Sequence, residues 1–401
     1  MLITLQAYKS KLTSQTCLKI VYFLKSCKFY IFSQHIFLGH YLKYKKVIII
    51  GGGLAGLYAA YLLEQQHIPF VLLEAQSRLG GRILDAQNKL NTDHHFDLGP
   101  AWIFPHQKKI QRLTAQLGIS LFEQYSTGDV LYQTSLHRPP NRIKDSVGLQ
   151  LFKIQGGSQA LLSALQNTVT QNNIQLNHQV THIERQSNLW QLSVSHNGVE
   201  KHFIADELML AMPPRIIAPY LVNKQWGSKL LLTDLKQSQT WMAGQAKFVV
   251  TYATPFWREQ GLSGQIFSQT GPMVEIHDAS TDVHQSHGLF GFIGWPASRR
   301  RQMTQQLLQE ACLAQLVSCY GPDANDFTEC YFKDWATDHF TCTASDRLES
   351  SRHPEFTISK HQQELTKLHL HFIGSEFAAL DPGYLEGAIN AVDTCISQLF
   401  R

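Results

Sequence analysis

Three glycines, one glutamate, one arginine and one lysine carry most of the chemistry that can be read in this 401-residue chain. Gly51, Gly53 and Gly56 stand at the spacing G-x-G-x-x-G. At that spacing the first glycine permits a tight turn and the second lets the backbone approach a pyrophosphate. The third lets a helix pack closely on a strand. Glu74 follows 18 residues after Gly56, where a carboxylate accepts hydrogen bonds from a ribose diol and repels a 2′-phosphate. Gly80 and Gly81 lie between Arg78 and Arg82, so backbone there can lie flat against a cofactor and leave Arg82 free to meet a phosphate. Lys247 sits in the apolar stretch Ala246–Ala253, where a partly buried ammonium needs a partner. The 19 histidines show no metal-ligand spacing, and no metal is expected.

These residues need elements to hold them. Val47–Ile50 is a fully apolar run of the kind a buried parallel strand shows, and Leu57–Leu63 reads as the helix after the glycine turn. Phe70–Leu73 is a second strand ending at Glu74. Together they predict a βαβ dinucleotide site, with helix N–H groups turned to the phosphates. Further strands are read at His178–Ile183 and His369–Ile373, and a last helix opens within Gly383–Ile389. Gln302–Tyr320 reads as a helix, opened by an exposed Arg299-Arg300-Arg301 face. Arg138 and Arg142 flank Pro139-Pro140 in what reads as a solvated loop.

Composition narrows the class. Apolar residues make up 44% and charged residues 16%, which excludes a disordered chain. The net charge of +4 is uneven: residues 1–46 hold eight lysines and no acid, leaving 27 basic against 31 acidic residues in the rest. A mildly acidic body does not support nucleic-acid binding. The seven cysteines form no C-x-x-C pair, so a disulfide scaffold is not expected and a reduced, cytoplasmic setting is. The longest apolar run before Lys46 is Ile20–Leu24, too short for a membrane helix or a signal peptide. Residues 1–45 are therefore expected to be a basic extension outside the fold.

The opening motif alone suits NAD as well as FAD. The blocks that follow are GGGLAGL at Gly51, LLEAQSRLGGR ending at Arg82, DLGPAWI at Asp97, and FKIQGGSQALLSAL over Phe152–Leu165. They continue with LMLAMPP over Leu208–Pro214, TPFW at Thr254, and finally GSEF and GYLEGAI. In this order they resemble the flavin-containing amine oxidases, the monoamine oxidase-like group, from about Lys46 to Arg401. The resemblance implies non-covalent FAD held by Gly51, Gly53, Leu54, Ala55, Gly56, Glu74, Ala75, Gly81 and Arg82. It places Gly99, Pro100, Ala101 and Trp102 near the ring, the backbone of Val180 at the adenine, and Gly374 and Glu376 toward the ribityl and phosphate. Tyr384, Leu385 and Ala388 belong to the C-terminal part of the same site. Leu385 begins a helix whose N-terminus would face the flavin edge that gathers negative charge.

The resemblance gives Lys247, eight residues before Pro255, the role of the lysine that reaches flavin N5 through a water. Tyr384 matches one of two aromatic residues flanking the substrate amine, while the other position falls at Ser345, with Phe340 or Trp335 as alternative walls. The covalent-anchor position falls at Ala344, two residues beyond Cys342. The implied architecture is α/β: a discontinuous Rossmann-type FAD domain (46–100, 153–216, 366–401) and an α+β substrate domain (101–152, 217–365). The implied activity is oxidation of a small amine, with O2 as acceptor and no membrane anchor. A flavin desaturase or porphyrinogen-type oxidase shares these motifs, and a non-catalytic flavin-binding protein is the third reading.

Overall fold

A computed structural model describes residues 42–87, 95–144, 149–222, 224, 226–281, 286–349 and 352–399. Residues 1–41, to which most of the expected N-terminal extension belongs, lie outside the described residues. The first strand is longer than the apolar run suggests. It spans Leu42–Ile50, and Leu42–Lys45 pair with His202–Ala205, so the boundary expected at residue 46 falls four residues too late. Polar residues hid those pairs: Tyr44 and Lys46 both donate to Asp206, at 3.0 and 2.8 Å.

Two seven-stranded sheets organise the chain. In the first, Leu42–Ile50 lies between Phe70–Leu73 and Val199–Leu210, all parallel, with Leu370–Phe372 also parallel to Val199–Leu210. The antiparallel strands Gln179–Gln186 and Leu189–His196 extend it on one side. Val47 and Ile49 pack on one face under the helices Leu54–Gln65, Gly157–Thr168 and Leu385–Leu399. Ile48 and Ile50 pack on the other face against Leu208, Leu210 and Ile217. Burial on both faces is why this strand reads as unbroken apolar sequence, at about 2 kcal/mol for each side chain removed from water.

The second sheet is mixed and ordered Phe327–Asp334, Ala246–Tyr252, His287–Ile293, Met273–Asp278, Leu262–Ser268, Asp129–Gln133, Asn141–Ile143. Every residue of Ala246–Tyr252 is buried, Lys247 included. The expected three-arginine face is not uniform. Arg299 lies over the Trp295 ring, but Arg300 is buried and paired with Asp334 at 2.6 and 2.8 Å, closing a loop rather than facing water. Arg142 is tied to Asp129 and to the Gln260 and Gly261 carbonyls, whereas Arg138 is exposed. Among the described residues no helix is long and apolar enough to cross a membrane.

Candidate active site

A cavity of about 780 Å³ runs from the carboxyl ends of the first sheet's parallel strands to the face of the second sheet. The end at the first sheet is built almost wholly from backbone. Gly51 (φ +106°) turns the chain, and a Cβ there would lie 2.6 Å from the Ala211 carbonyl oxygen. At Gly56 a Cβ would lie 1.9 Å from the Gly51 oxygen, so this glycine is fixed by helix-on-strand contact and does not line the cavity. Gly53 differs from both. A Cβ there would find no protein atom nearer than 3.8 Å, so packing does not require glycine, and the open direction is the cavity. Gly53 also caps the helix Leu54–Gln65 without any side-chain hydrogen bond and without an acid in the first turn. An uncapped 12-residue helix beside an open glycine is a receptor for an anion. The residues present therefore fit the pyrophosphate of a dinucleotide.

Glu74 also lines the cavity. Its carboxylate accepts from the Gly52 and Gln76 N–H groups at 2.6 and 2.8 Å, and burial raises its pKa above the ordinary carboxyl value. Gly81, Gly99, Pro100, Ala101, Trp102, Val180, Gly374, Leu385 and Ala388 are on the wall as well, with Leu54, Ala55 and Ala75. The Val180 carbonyl accepts from the Tyr220 hydroxyl at 2.8 Å.

Arg82 and Glu376 behave differently from the expectation of a free arginine. The guanidinium is held by both Glu376 oxygens, at 2.6 and 2.9 Å, and bonds Ser375 Oγ at 3.1 Å. Glu376 is fully buried and absent from the cavity wall, while Arg82 remains on it. The pair also grips the backbone of Trp241: its N–H donates to Glu376 at 3.2 Å and its carbonyl accepts from Arg82 at 3.3 Å.

At the other end Lys247 is 2% exposed. Its partners are neutral: Nζ donates to the Gly99 carbonyl at 3.1 Å and lies 4.1 Å from the centre of the Phe290 ring. Burial pulls its pKa down to about 7, against the opposing charge of Asp97. Tyr384, half-buried, meets Phe104 edge-on at 5.8 Å and Trp241 at 6.0 Å. Trp241 was not singled out by any motif; His353 stacks on it at 3.9 Å. Gly383 packs against it: a Cβ there would sit 2.6 Å from that of Trp241. Phe340 and Trp335 line the cavity, but Ser345 is exposed in the short helix Ala344–Leu348, off the wall. Ala344 is exposed beside it. Cys342 is buried among Ala243, Ala297 and Ala336, with its thiol pKa pushed up to about 12 by desolvation.

Comparison with known proteins gives this geometry a context. Residues 129–391 match the profile of the flavin containing amine oxidoreductases, and residues 49–117 match that of an NAD(P)-binding Rossmann-like domain. A probable flavin-containing monoamine oxidase A of Dictyostelium discoideum is 20% identical across 86% of this chain and 95% of its own length. Among solved structures, putrescine oxidase bound to putrescine superposes with a TM-score of 0.75 at 16% identity, covering 90% of this chain and 99% of the other. Cyclohexylamine oxidase from Brevibacterium oxydans gives 0.74 at 18% identity, covering 89% and 100%. At these identities the superpositions speak for the fold alone.

Proposed function

Because the chain belongs to the flavin containing amine oxidoreductase family, and is thus an FAD-dependent oxidoreductase, we propose that it oxidises a small amine at the carbon bearing nitrogen. The observation that carries the reading is the convergence of Lys247, Tyr384 and the open Gly53 turn on one cavity. FAD, when bound, supplies the acceptor for the hydride removed from that carbon.

The chain's own residues would do the rest. The Gly51–Gly53 turn, Gly81 and the helix N-terminus at Leu54–Ala55 would hold the pyrophosphate, and Glu74 the ribose diol. Val180 would serve the adenine. Arg82, clamped by Glu376, keeps a fixed edge of positive charge on the wall, and Gly374 lies on the same wall. Gly99–Trp102 would flank the ring, while the helix N-terminus at Leu385–Ala388 would stabilise negative charge gathered there. Tyr384, with Trp241 behind it, forms an apolar wall for the amine. Such a wall disfavours the ammonium form and so favours the neutral amine that hydride loss needs. Lys247 Nζ would hold a water and a proton close to the reacting carbon's partner. The released imine hydrolyses to a carbonyl compound, and dioxygen would be the terminal acceptor, leaving as hydrogen peroxide. Cys342 and Ala344 stand off the wall, which supports non-covalent binding.

The test is anaerobic mixing of the flavin-loaded protein with primary amines, diamines, amino acids and a porphyrinogen. Bleaching of the flavin by an amine, with peroxide released on admitting air, is expected. Reduction by the porphyrinogen alone would move the chain to the other reading. A flavin that no reductant bleaches would make it a binding protein.

A further inference from the structure

We propose that Asp97 is a positioning residue that acts through Lys247: the four residues that begin at Asp97 fix where the ammonium stands, and the Asp97 carboxylate supplies its counter-charge. This rests on the role given to Lys247 above.

Residues 97–100 form a strap along the cavity, and each is tied by a side chain or to a helix end. Asp97 Oδ1 accepts from the Ser158 N–H at 2.8 Å, at the start of the helix Gly157–Thr168. The Leu98 carbonyl accepts from Trp335 Nε1 at 3.0 Å, that of Gly99 from Lys247 Nζ at 3.1 Å, and that of Pro100 from Ser158 Oγ at 3.0 Å. A Cβ on Gly99 would stand 2.1 Å from the Arg82 carbonyl oxygen, so the strap cannot slide in that direction. Lys247 and Asp97 are therefore held by one short run of backbone.

A second buried lysine makes the charge balance tight. Lys153 Nζ donates to the carbonyls of Ala279 and Ser280, at 2.8 and 2.9 Å. Among the described residues neither lysine has a carboxylate within ion-pair distance. Asp97 is the acid whose field favours the charged form of both, with Asp278 adding to it at Lys153, while Lys153 opposes the charge on Lys247. Burial raises the pKa of Asp97 itself, and the two lysines and the Ser158 N–H act to lower it. The remaining charged groups nearby are already engaged, Asp278 and Arg258 with each other at 2.8 and 3.0 Å. Lys333, across the strand from Lys247, is 3.7 Å from Asp338 and 4.6 Å from the Trp335 ring centre. Glu275, beyond Phe292, meets His277 at 2.6 Å, and Arg82 is taken by Glu376.

Asp97→Asn keeps an acceptor for the Ser158 N–H and removes only the charge. In the flavin-loaded protein, flavin reduction and reoxidation are followed from about pH 6 to about pH 9, for wild type, Asp97→Asn, Lys247→Met and the double variant. The limb that needs the ammonium should move to lower pH by about one unit or more in Asp97→Asn, about a tenfold loss where it has titrated. In the Lys247→Met background the same change should alter the rate less than about twofold. Lys153→Met should move the limb the other way, and Asp97→Glu should restore it.

Melting temperature against pH gives a readout free of turnover. The lysine's native value near 7 lies below its ordinary 10.5. Its burial cost is thus full below about pH 7 and is relieved as pH rises toward the ordinary value, so wild type gains stability over that window relative to Lys247→Met. In Asp97→Asn the gain should begin at lower pH. Equal effects of Asp97→Asn in both lysine backgrounds, or a gain window that neither Asp97→Asn nor Lys153→Met displaces, would overturn the proposal. If no amine bleaches the flavin, the amine reading fails on its own, and the melting curves still decide the role of Asp97.

Discussion

The two ends of the cavity are built by different means. At the end proposed to hold the nucleotide the groups on offer are backbone: a turn at Gly51, an open face at Gly53, and an uncapped helix end. At the end proposed to hold the substrate they are side chains from separate strands, helices and straps: Lys247, Tyr384, Trp241, Phe292 and Trp335. Backbone sites demand glycine at fixed spacing, because a Cβ would collide or block the ligand. Side-chain sites demand only that the right groups arrive in one place, which many sequences can achieve. The first end is thus constrained by local geometry and the second by the register of a sheet.

The largest expected effect tests the backbone end. Gly56→Ala would drive a Cβ to 1.9 Å from the Gly51 oxygen, so the helix must leave the strand. A cost of about 3 kcal/mol or more and loss of soluble protein should follow. Gly53→Ala, at φ −74°, meets nothing nearer than the Gly80 carbonyl oxygen at 3.8 Å, an ordinary contact. It should fold with an unchanged apoprotein melting temperature and yet lose flavin, by at least about tenfold in retained FAD. Equal flavin content in Gly53→Ala and wild type would show that no phosphate approaches that backbone.

Next in size is the side-chain end. Lys247→Met keeps volume and removes the charge, and FAD should remain bound. One of the two half-reactions, reduction by amine or reoxidation by dioxygen, should slow by about a hundredfold, or ~3 kcal/mol. Stopped-flow separates the two. Rates within a few-fold of wild type in both would leave Lys247 only its bond to the Gly99 carbonyl, a structural role at the side-chain end.

The same contrast decides how much was legible. The run Val47–Ile50, the three glycines and Glu74 can be read directly, because burial on both faces and the need for bare backbone each leave a mark on consecutive residues. Lys247 was legible by its spacing to Pro255, but its carbonyl and ring partners were not, since Gly99 and Phe290 are distant in sequence. The engagement of Arg82 by Glu376, 294 residues away, was equally hidden. Trp241 left no motif at all: its place is set by an ion pair and by the bare Cα of Gly383. The start of the first strand was missed for the opposite reason, since Lys43, Tyr44 and Lys45 look like a solvated tail although the backbone there is paired.

That strand start offers a smaller test. A chain beginning at Lys46 gives up the pairs Leu42–Lys45 with His202–Ala205 and the Tyr44 bond to Asp206, which a chain beginning at Leu42 keeps. These are edge contacts in water, worth about 1 kcal/mol together. The melting temperature of the shorter chain should lie about 1–2 °C below that of the longer one, with flavin content equal. Identical melting curves would show that the sheet begins in effect at Lys46.

The smallest expected effect concerns Cys342, two residues before Ala344, the position at which the sequence resemblance places a covalent flavin anchor. Its thiol lies among Ala243, Ala297 and Ala336 and contacts the Thr343 carbonyl at 3.5 Å, and burial keeps it protonated. A nucleophile must be a thiolate that can reach its target, and this one is neither ionised nor on the cavity wall. Ala344, at the expected anchor position, has no sulfur to offer. Acid precipitation should therefore leave the flavin in the supernatant, for wild type and for Cys342→Ser alike, with equal FAD content before denaturation. The serine hydroxyl should cost no more than about 1–2 kcal/mol of stability, the cost of a small polar group in an apolar nook. Flavin that stays in the wild-type pellet and is freed by Cys342→Ser would mean that the segment after Trp335 lies against the cavity in another register, and that the side-chain end of the site is built differently from the one described.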